Sequence, residues 1–467
     1  MTDKILTLDY TNVLSESVGP NTGLTPEDFS EAASNIEAAF YKAQSDRSTW
    51  GFTKLPYAEE QLEKISELAS DIIESYEDFV VIGIGGSALG NIALHSSLNS
   101  IYYNSLSAEE RGNHPKVHVP DNVDPVLISD LLKILNPKKT IFNVIAKSGS
   151  TAETLSNFLV IRKFLEDAVG EKWTDQVIFT TDPEKGALRK LANEFNIRSL
   201  EVPPDVGGRF SVLSPVGLLS AAVEGIDLKA LLKGAEAMDQ RCKTDYWKED
   251  PAFFNAVISY LQDGKKGIRL TVMMPYCQKL KDIADWFRQL WAESLGKRVN
   301  RKDEEIFCGL TPIKALGATD QHSQVQLYTE GPFDKSFSFL HVEQFGIQTE
   351  IPSGFEDEPA FSYLGGHTLN ELLHAEEYAT RAALTKANRP NLTISIPAVN
   401  AFYVGQLLYF FELQTAYAGE LYNIDAFDQP GVEQGKIFTY ALMGREGYED
   451  AKRELENMKL SDKKYVI

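Results

Sequence analysis

The sequence predicts an α/β protein built on parallel sheets with helices packed on their faces. Three observations carry that prediction. Between about residues 60 and 200, short apolar runs alternate with segments of helical spacing. Two strand-to-helix corners are rich in glycine and hydroxyl residues, Gly85-Gly86-Ser87 and Ser148-Gly149-Ser150-Thr151. From about residue 250 a second stretch rich in βα units begins, so the architecture repeats at domain scale.

Composition narrows the function. The chain has 467 residues, enough for about two or three domains with their own cores. Its 46 basic and 67 acidic residues leave a net charge of −21, which argues against nucleic acid and anionic membranes as partners. An anionic small substrate would need a locally positive pocket. The three cysteines, Cys242, Cys277 and Cys308, are odd in number, widely spaced and without a CxxC pair. They form neither a disulfide framework nor a zinc site, and a reducing cytoplasm is expected. Residues 1–10 lack the apolar core of a signal peptide, and no run of 18 apolar residues is expected to span a membrane.

Residues 1–55 read as a lead-in layer with a helix over about 25–44, where Pro26 follows Thr25 and Glu27 and Asp28 fill the first turn. A helix over 57–76 precedes the strand 78–84, which runs into Gly85-Gly86-Ser87 and a helix from about Asn91. Gly83, Gly85 and Ala88 formally meet the G-x-G-x-x-A dinucleotide pattern. The rest of that fingerprint is poor. The next strand lies near 116–119, and its acidic end, Asp121, comes too late. A nicotinamide cofactor is therefore disfavoured. Close backbone approach to another ligand, such as a sugar phosphate, or a corner packed for its own sake, are the other readings.

A helix over 126–135 follows, then the apolar strand from Thr140 and the loop Lys147-Ser148-Gly149-Ser150-Thr151. A helix to about Val169 leaves that loop. Backbone N–H groups, the positive end of the helix and the hydroxyls make a cradle for a phosphate. The same residues also suit a plain helix cap. The strand 176–181 and a helix over 183–195 complete a first domain assigned to residues 56–235. Within it, Gly207 and Gly208 frame Arg209, presenting a guanidinium where backbone can come close; the ordinary alternative is a surface or ion-pair arginine.

The second domain is assigned to residues 250–440. A strand over 268–275 leads into a helix over 281–295, where Gln289 and Glu293 share a face beside Leu290 and Trp286. A carboxylate so placed suits a general base. From the helix alone, a solvated Glu293 paired with Lys297 is the stronger reading. His322 lies in a polar turn, Gly317 to Gln324, and a lone histidine is more often structural. A strand over 337–342, a capping-box helix from Thr368-Leu369-Asn370-Glu371 to about Lys386 and a strand over 392–396 follow. Phe402, Leu407, Tyr409 and Phe410 fit core or interface. Gln429 stands at the mouth of the next helix, Pro430 at its first position, and Val432 and Lys436 on one face. Residues 441–467 alternate in charge and read as a C-terminal helix, solvated or bracing a subunit.

Several segments together resemble one family. Gly83-Ile84-Gly85-Gly86-Ser87-Ala88-Leu89-Gly90, Asp205-Val206-Gly207-Gly208-Arg209-Phe210-Ser211, Gln289 to Ser294 and Phe427 to Lys436 look like the signatures of glucose-6-phosphate isomerase, also called phosphoglucose isomerase, in its shorter bacterial type. Lys147 to Thr151 resembles that family's phosphate loop, and Thr319 to Ser323 its histidine segment. The resemblance implies two sugar-isomerase (SIS) domains and a cytoplasmic homodimer with its active site near the subunit interface. It implies reversible interconversion of glucose 6-phosphate and fructose 6-phosphate, in glycolysis and gluconeogenesis, with no metal and no redox cofactor. Carried over residue by residue, His322 from the partner subunit, with Lys436, would open the sugar ring. Glu293 would shuttle a proton between C2 and C1 through a cis-enediolate, beside Arg209. Ser148, Ser150, Thr151 and Lys147 would hold the phosphate, and Gly86, Ser87, Gly208, Gln289 and Gln429 the sugar hydroxyls or the phosphate rim. One departure stands out: the family's phosphate loop usually begins Ser-Lys, and here it is Ala146-Lys147. A SIS-domain regulator without catalysis is the alternative; it should lack the base, histidine and lysine, and all three are present.

Overall fold

A computed structural model describes residues 5–149, 151–458 and 460–467. Ser150, expected at the phosphate cradle, lies outside the described residues.

Strand β1 (Thr7–Asp9) opens the chain and joins a sheet whose other strands come much later. The first sheet is formed by β2 (Asp78–Ile82), β3 (Lys116–His118), β4 (Thr140–Ala146), β5 (Val177–Thr181) and β6 (Arg198–Glu201), in the order β3-β2-β4-β5-β6 and parallel throughout. All seven residues of β4 are buried, as expected of a central strand covered on both faces. The order reverses between β2 and β4. The turn after β2 and the loop after β4 therefore leave neighbouring carboxyl ends at the switch point, where open α/β sheets form their ligand crevice.

The second sheet draws on β7 (Leu270–Pro275), β10 (Thr311–Lys314), β11 (Lys335–Gln344) and β12 (Asn391–Ala398); the short antiparallel ribbon β8 (Lys297–Val299) and β9 (Glu305–Cys308) falls between β7 and β10 in the chain. Its order is β1-β12-β11-β7-β10. Four strands are parallel, and β1 pairs antiparallel on the β12 edge. A wholly parallel sheet was expected here; three residues at an edge, none buried, carry too little periodicity to be read as a strand.

Helix Ala401–Leu421 is buried at every position from Val404 to Leu421. This helix, largely apolar, packs against helices Pro26–Asp46, Leu228–Arg241, Pro251–Lys266 and Lys281–Leu295. Leu407, Tyr409 and Phe410 are core residues, as their spacing indicated. The helix expected to start at Pro183 starts instead at Ala187, because Asp182 Oδ1 accepts from the N–H groups of Glu184 and Lys185 and holds a turn there. The C-terminal helix expected over residues 441–467 is shorter: helix Glu433–Leu442 ends as that stretch begins, and helix Glu449–Asn457 follows with no buried residue. Among the described residues no helix is long and apolar enough to cross a membrane.

Candidate active site

Helix Lys281–Leu295 turns Trp286 and Leu290 into the core, which leaves Gln289 and Glu293 facing the first domain. Gln289 Nε2 donates to Glu293 Oε2 at 3.0 Å. Arg209 approaches from the other side, its Nη1 3.5 Å from Glu293 Oε1. The expected alternative, a solvated Glu293 paired with Lys297, does not form. The helix ends at Leu295, and the Lys297 ammonium donates to the main-chain oxygens of Glu293, Ser294 and Asp428.

Arg209 is no surface arginine: only 3% of it is exposed. Its Nε donates to Ser294 Oγ at 2.7 Å, Nη1 to Gln429 Oε1 at 2.9 Å, and Nη2 to the oxygens of Ala426 and Asp428 at 2.6 and 3.0 Å. A planar fork with five donors suits this set of acceptors. Burial lowers its proton affinity, and the carboxylates of Glu293, Asp428 and Asp425 act against that.

The two glycine turns meet backbone to backbone. A Cβ on Gly86 would collide with the Gly208 carbonyl and stand 2.7 Å from Arg209 N. This close approach explains the glycine of the first turn without any dinucleotide. Gln289 Nε2 closes over the same turn, 2.9 Å from where a Gly85 Cβ would be. Ser87 is half-buried beside it.

The loop after β4 is shaped by Gly149, at φ +62°, where a Cβ would also lie 2.7 Å from Ala187 N. Thr151 takes the N-cap position of helix Ala152–Val169, and its side chain makes no capping bond. The plain helix-cap reading therefore has no hydroxyl bond to rest on at Thr151. Lys147 Nζ donates to the oxygens of Pro204 and Val206 at 2.6 and 2.8 Å, tying this loop to the Gly207-Gly208 turn. Burial lowers the Lys147 pKa, opposed by Asp182 and Asp205. Ala146 is buried in the apolar core of the first domain.

A cavity of about 660 Å³ lies beyond, lined by Ser148, Thr151, Gln429 and Lys436 among others. That volume suits a small polar ligand. Lys436 Nζ is paired with Glu433 Oε1 at 2.7 Å on the exposed helix Glu433–Leu442. Gln429 belongs both to this cavity and to the Arg209 cluster, so the two are neighbours. His322 stands apart. It is exposed after the turn Thr319–Gln321, and no hydrogen bond or ion pair among the described residues joins its ring to Glu293, Arg209 or Lys436.

The family model described as phosphoglucose isomerase matches residues 63–452. The chain belongs to that family.

Relatives within the phosphoglucose isomerase family bear this out. The chain is 52% identical over 419 residues to a glucose-6-phosphate isomerase of Carboxydothermus hydrogenoformans, covering 90% of each. It is 46% identical over 445 residues to one from Rubrobacter xylanophilus, covering 95% of this chain and 99% of the other. A crystal structure of a hypothetical protein from Thermus thermophilus superposes with a TM-score of 0.83 at 38% identity, covering 94% of this chain and all of that one. A glucose-6-phosphate isomerase from Chlamydia trachomatis gives 0.73 at 23% identity over 85% and 76%, a likeness of fold. The two sheets flanked by helices agree with the α/β architecture that the sequence predicts.

Sequence reasoning gave no individual role to Ser294, Ala426 or Asp428 and offered Lys297 only as a side-chain partner of Glu293, although all four fix the geometry around Arg209 and Glu293. Three of those contacts are made through main-chain oxygens, which carry no residue-type signal. A cation just past a helix C-terminus is a signal that can be read for Lys297.

Proposed function

We propose that the chain performs its family's reaction, the reversible aldose–ketose interconversion of glucose 6-phosphate and fructose 6-phosphate, on the residues gathered at the first sheet's switch point. The observation that carries this reading is the Glu293 carboxylate, held by Gln289 and faced by Arg209, whose partner Gln429 lines the cavity at the hydroxyl loop. Glu293 is the base that moves the proton between C2 and C1. Arg209 lies where charge develops on the enediolate oxygen, and a fixed cation in a dry site lowers that barrier more than it would in water. Ser148 and Thr151, with Ser150 and Lys147, are assigned to the phosphate; Gly86, Ser87, Gly208, Gln289 and Gln429 to the hydroxyls or the phosphate rim. Lys436 and His322 serve ring opening.

His322 is exposed and, among the described residues, joined by no hydrogen bond or ion pair to Glu293, Arg209 or Lys436, which supports its donation to a partner subunit. We assign a homodimer with shared sites on that ground, in the cytoplasm, with residues 56–235 and 250–440 as its two SIS domains. The regulatory alternative has no comparable support, since the relatives are named as enzymes.

A coupled assay of fructose 6-phosphate conversion, run with a chelator, tests the reaction: turnover is expected, and none from folded protein overturns the reading. Mixed dimers of Glu293→Gln and His322→Ala test the sharing. A histidine acting across the interface restores one complete site per hybrid; one acting within its own subunit restores none.

A further inference from the structure

We infer that Lys297 is a positioning residue for the proton transfer, locking the end of the helix that carries Glu293 to the loop that holds Arg209. The inference rests on the assignment of Glu293 as base.

Helix Lys281–Leu295 closes with the bond from Gly296 N to the oxygen of Ala292. The carbonyls of Glu293 and Ser294 then have no partner within the helix. Gly296 lets the chain turn, and Lys297, first residue of β8, reaches back to them at 3.1 and 2.8 Å. Its third donor goes to the oxygen of Asp428 at 2.9 Å, with Asp428 Oδ1 at 3.3 Å. An ammonium has three donors, and all three are used on main-chain oxygens. The side chain is 5% exposed, so water cannot replace those bonds without the site opening.

The Asp428 oxygen that accepts from Lys297 also accepts from Arg209 Nη2. Ser294, whose carbonyl Lys297 holds, receives Arg209 Nε on its hydroxyl. Helix end, loop 425–429 and Arg209 thus form a closed ring of bonds, and Glu293 is set within it. Removing Lys297 opens the ring on the side of the base. Lys297 does not line the phosphate cavity, and of its lining residues Ser148, Thr151, Gln429 and Lys436 only Gln429 belongs to the loop that Lys297 holds. Turnover should suffer and phosphosugar binding should not.

The experiment uses the full-length enzyme and measures kcat, KM and inhibition by sorbitol 6-phosphate, an open-chain phosphate that cannot isomerise. For Lys297→Met, kcat per folded molecule is expected to fall about 10- to 100-fold, as for a displaced catalytic group. The inhibition constant should stay within about threefold of the parent. Lys297→Arg, which keeps charge and several donors, should recover most of the turnover. Should Lys297→Met not accumulate folded protein, Lys297→Gln carries the same measurements. A kcat within about threefold of the parent, or turnover and inhibitor binding weakened alike, overturns the inference. Glu293→Gln run in parallel separates the two claims. If that variant turns over normally, the base assignment fails; if it is inactive while Lys297→Met is not impaired, only the positioning role fails.

Discussion

Arg209 Nη1 stands 3.5 Å from Glu293 Oε1, beyond a well-formed hydrogen bond and inside ion-pair range. The guanidinium commits its shorter bonds to Ser294, Gln429, Ala426 and Asp428, so it is anchored independently of the carboxylate it faces. A base that must take a proton and return it is served by a neighbour that stays in place during both steps.

Glu293→Gln is the direct test of that base. The amide has the shape of the carboxylate and cannot accept the proton, so kcat should fall by about 10²- to 10⁴-fold. Sorbitol 6-phosphate should bind with little change, as seen by calorimetry. Unaltered turnover would remove Glu293 from the mechanism.

Arg209→Lys should not behave as a conservative change. A lysine offers three donors from a point charge and cannot match four acceptors fixed for a planar fork. Loss of stability of about 3 kcal/mol is expected from buried acceptors left unpaired. Urea unfolding measures it, and kcat should drop with it.

Gly86→Ala places a methyl group against the Gly208 carbonyl and 2.7 Å from Arg209 N. Both obstacles are backbone, so the two turns must part. A stability loss of about 1–3 kcal/mol is expected, as for overpacking elsewhere. Because the displaced turn carries Arg209, kcat should fall more than the melting temperature alone would indicate.

Asp250 gives the pH prediction. It caps helix Pro251–Lys266, its Oδ1 accepting from Ala252 N and Phe253 N at 3.0 and 2.9 Å. Burial pushes its pKa up to about 6 from an ordinary 3.8, against bonds from Phe253, Cys242 and Tyr417 and the charge of Arg47. With the folded pKa above the unfolded one, the folded state binds the proton more tightly. Its stabilising effect is complete below about pH 4 and is lost as pH rises towards 6. Relative to Asp250→Asn, which can still cap, the parent should lose about 3 kcal/mol across that window, at about 1.4 kcal/mol per unit. Parallel pH-dependent curves for the two proteins would refute this.

The elements legible in the sequence are those whose signal is local. Thr368 forms the expected capping box, and the helix expected after Thr25 starts at Pro26. The Glu293 helix spans Lys281–Leu295, as its apolar stripe indicated. Helix Pro215–Val223 escaped notice because it is buried on nearly every side and has no polar face to set a period. The burial of Arg209 was hidden for another reason: its acceptors at Ala426 and Asp428 are far away in sequence and belong to the main chain. Lys297 misled, since a spacing of four implies a side-chain pair only while the helix continues, and it ends at Leu295.

Strand β1 bears on how the protein is made. Thr7, Leu8 and Asp9 pair with Ser395, Ile394 and Thr393, and Leu6 N donates to Gln406 Oε1. Residues 7–9 must wait for partners translated much later, at 393–395. At about 5–20 residues per second that wait lasts roughly 20–80 s. Through it the segment Thr7–Asp9 is an unpaired edge seeking a neighbour, open to proteases and to holding chaperones. A ribosome stalled before β12 should therefore display this segment as cleavable, and one stalled past Leu421 should protect it.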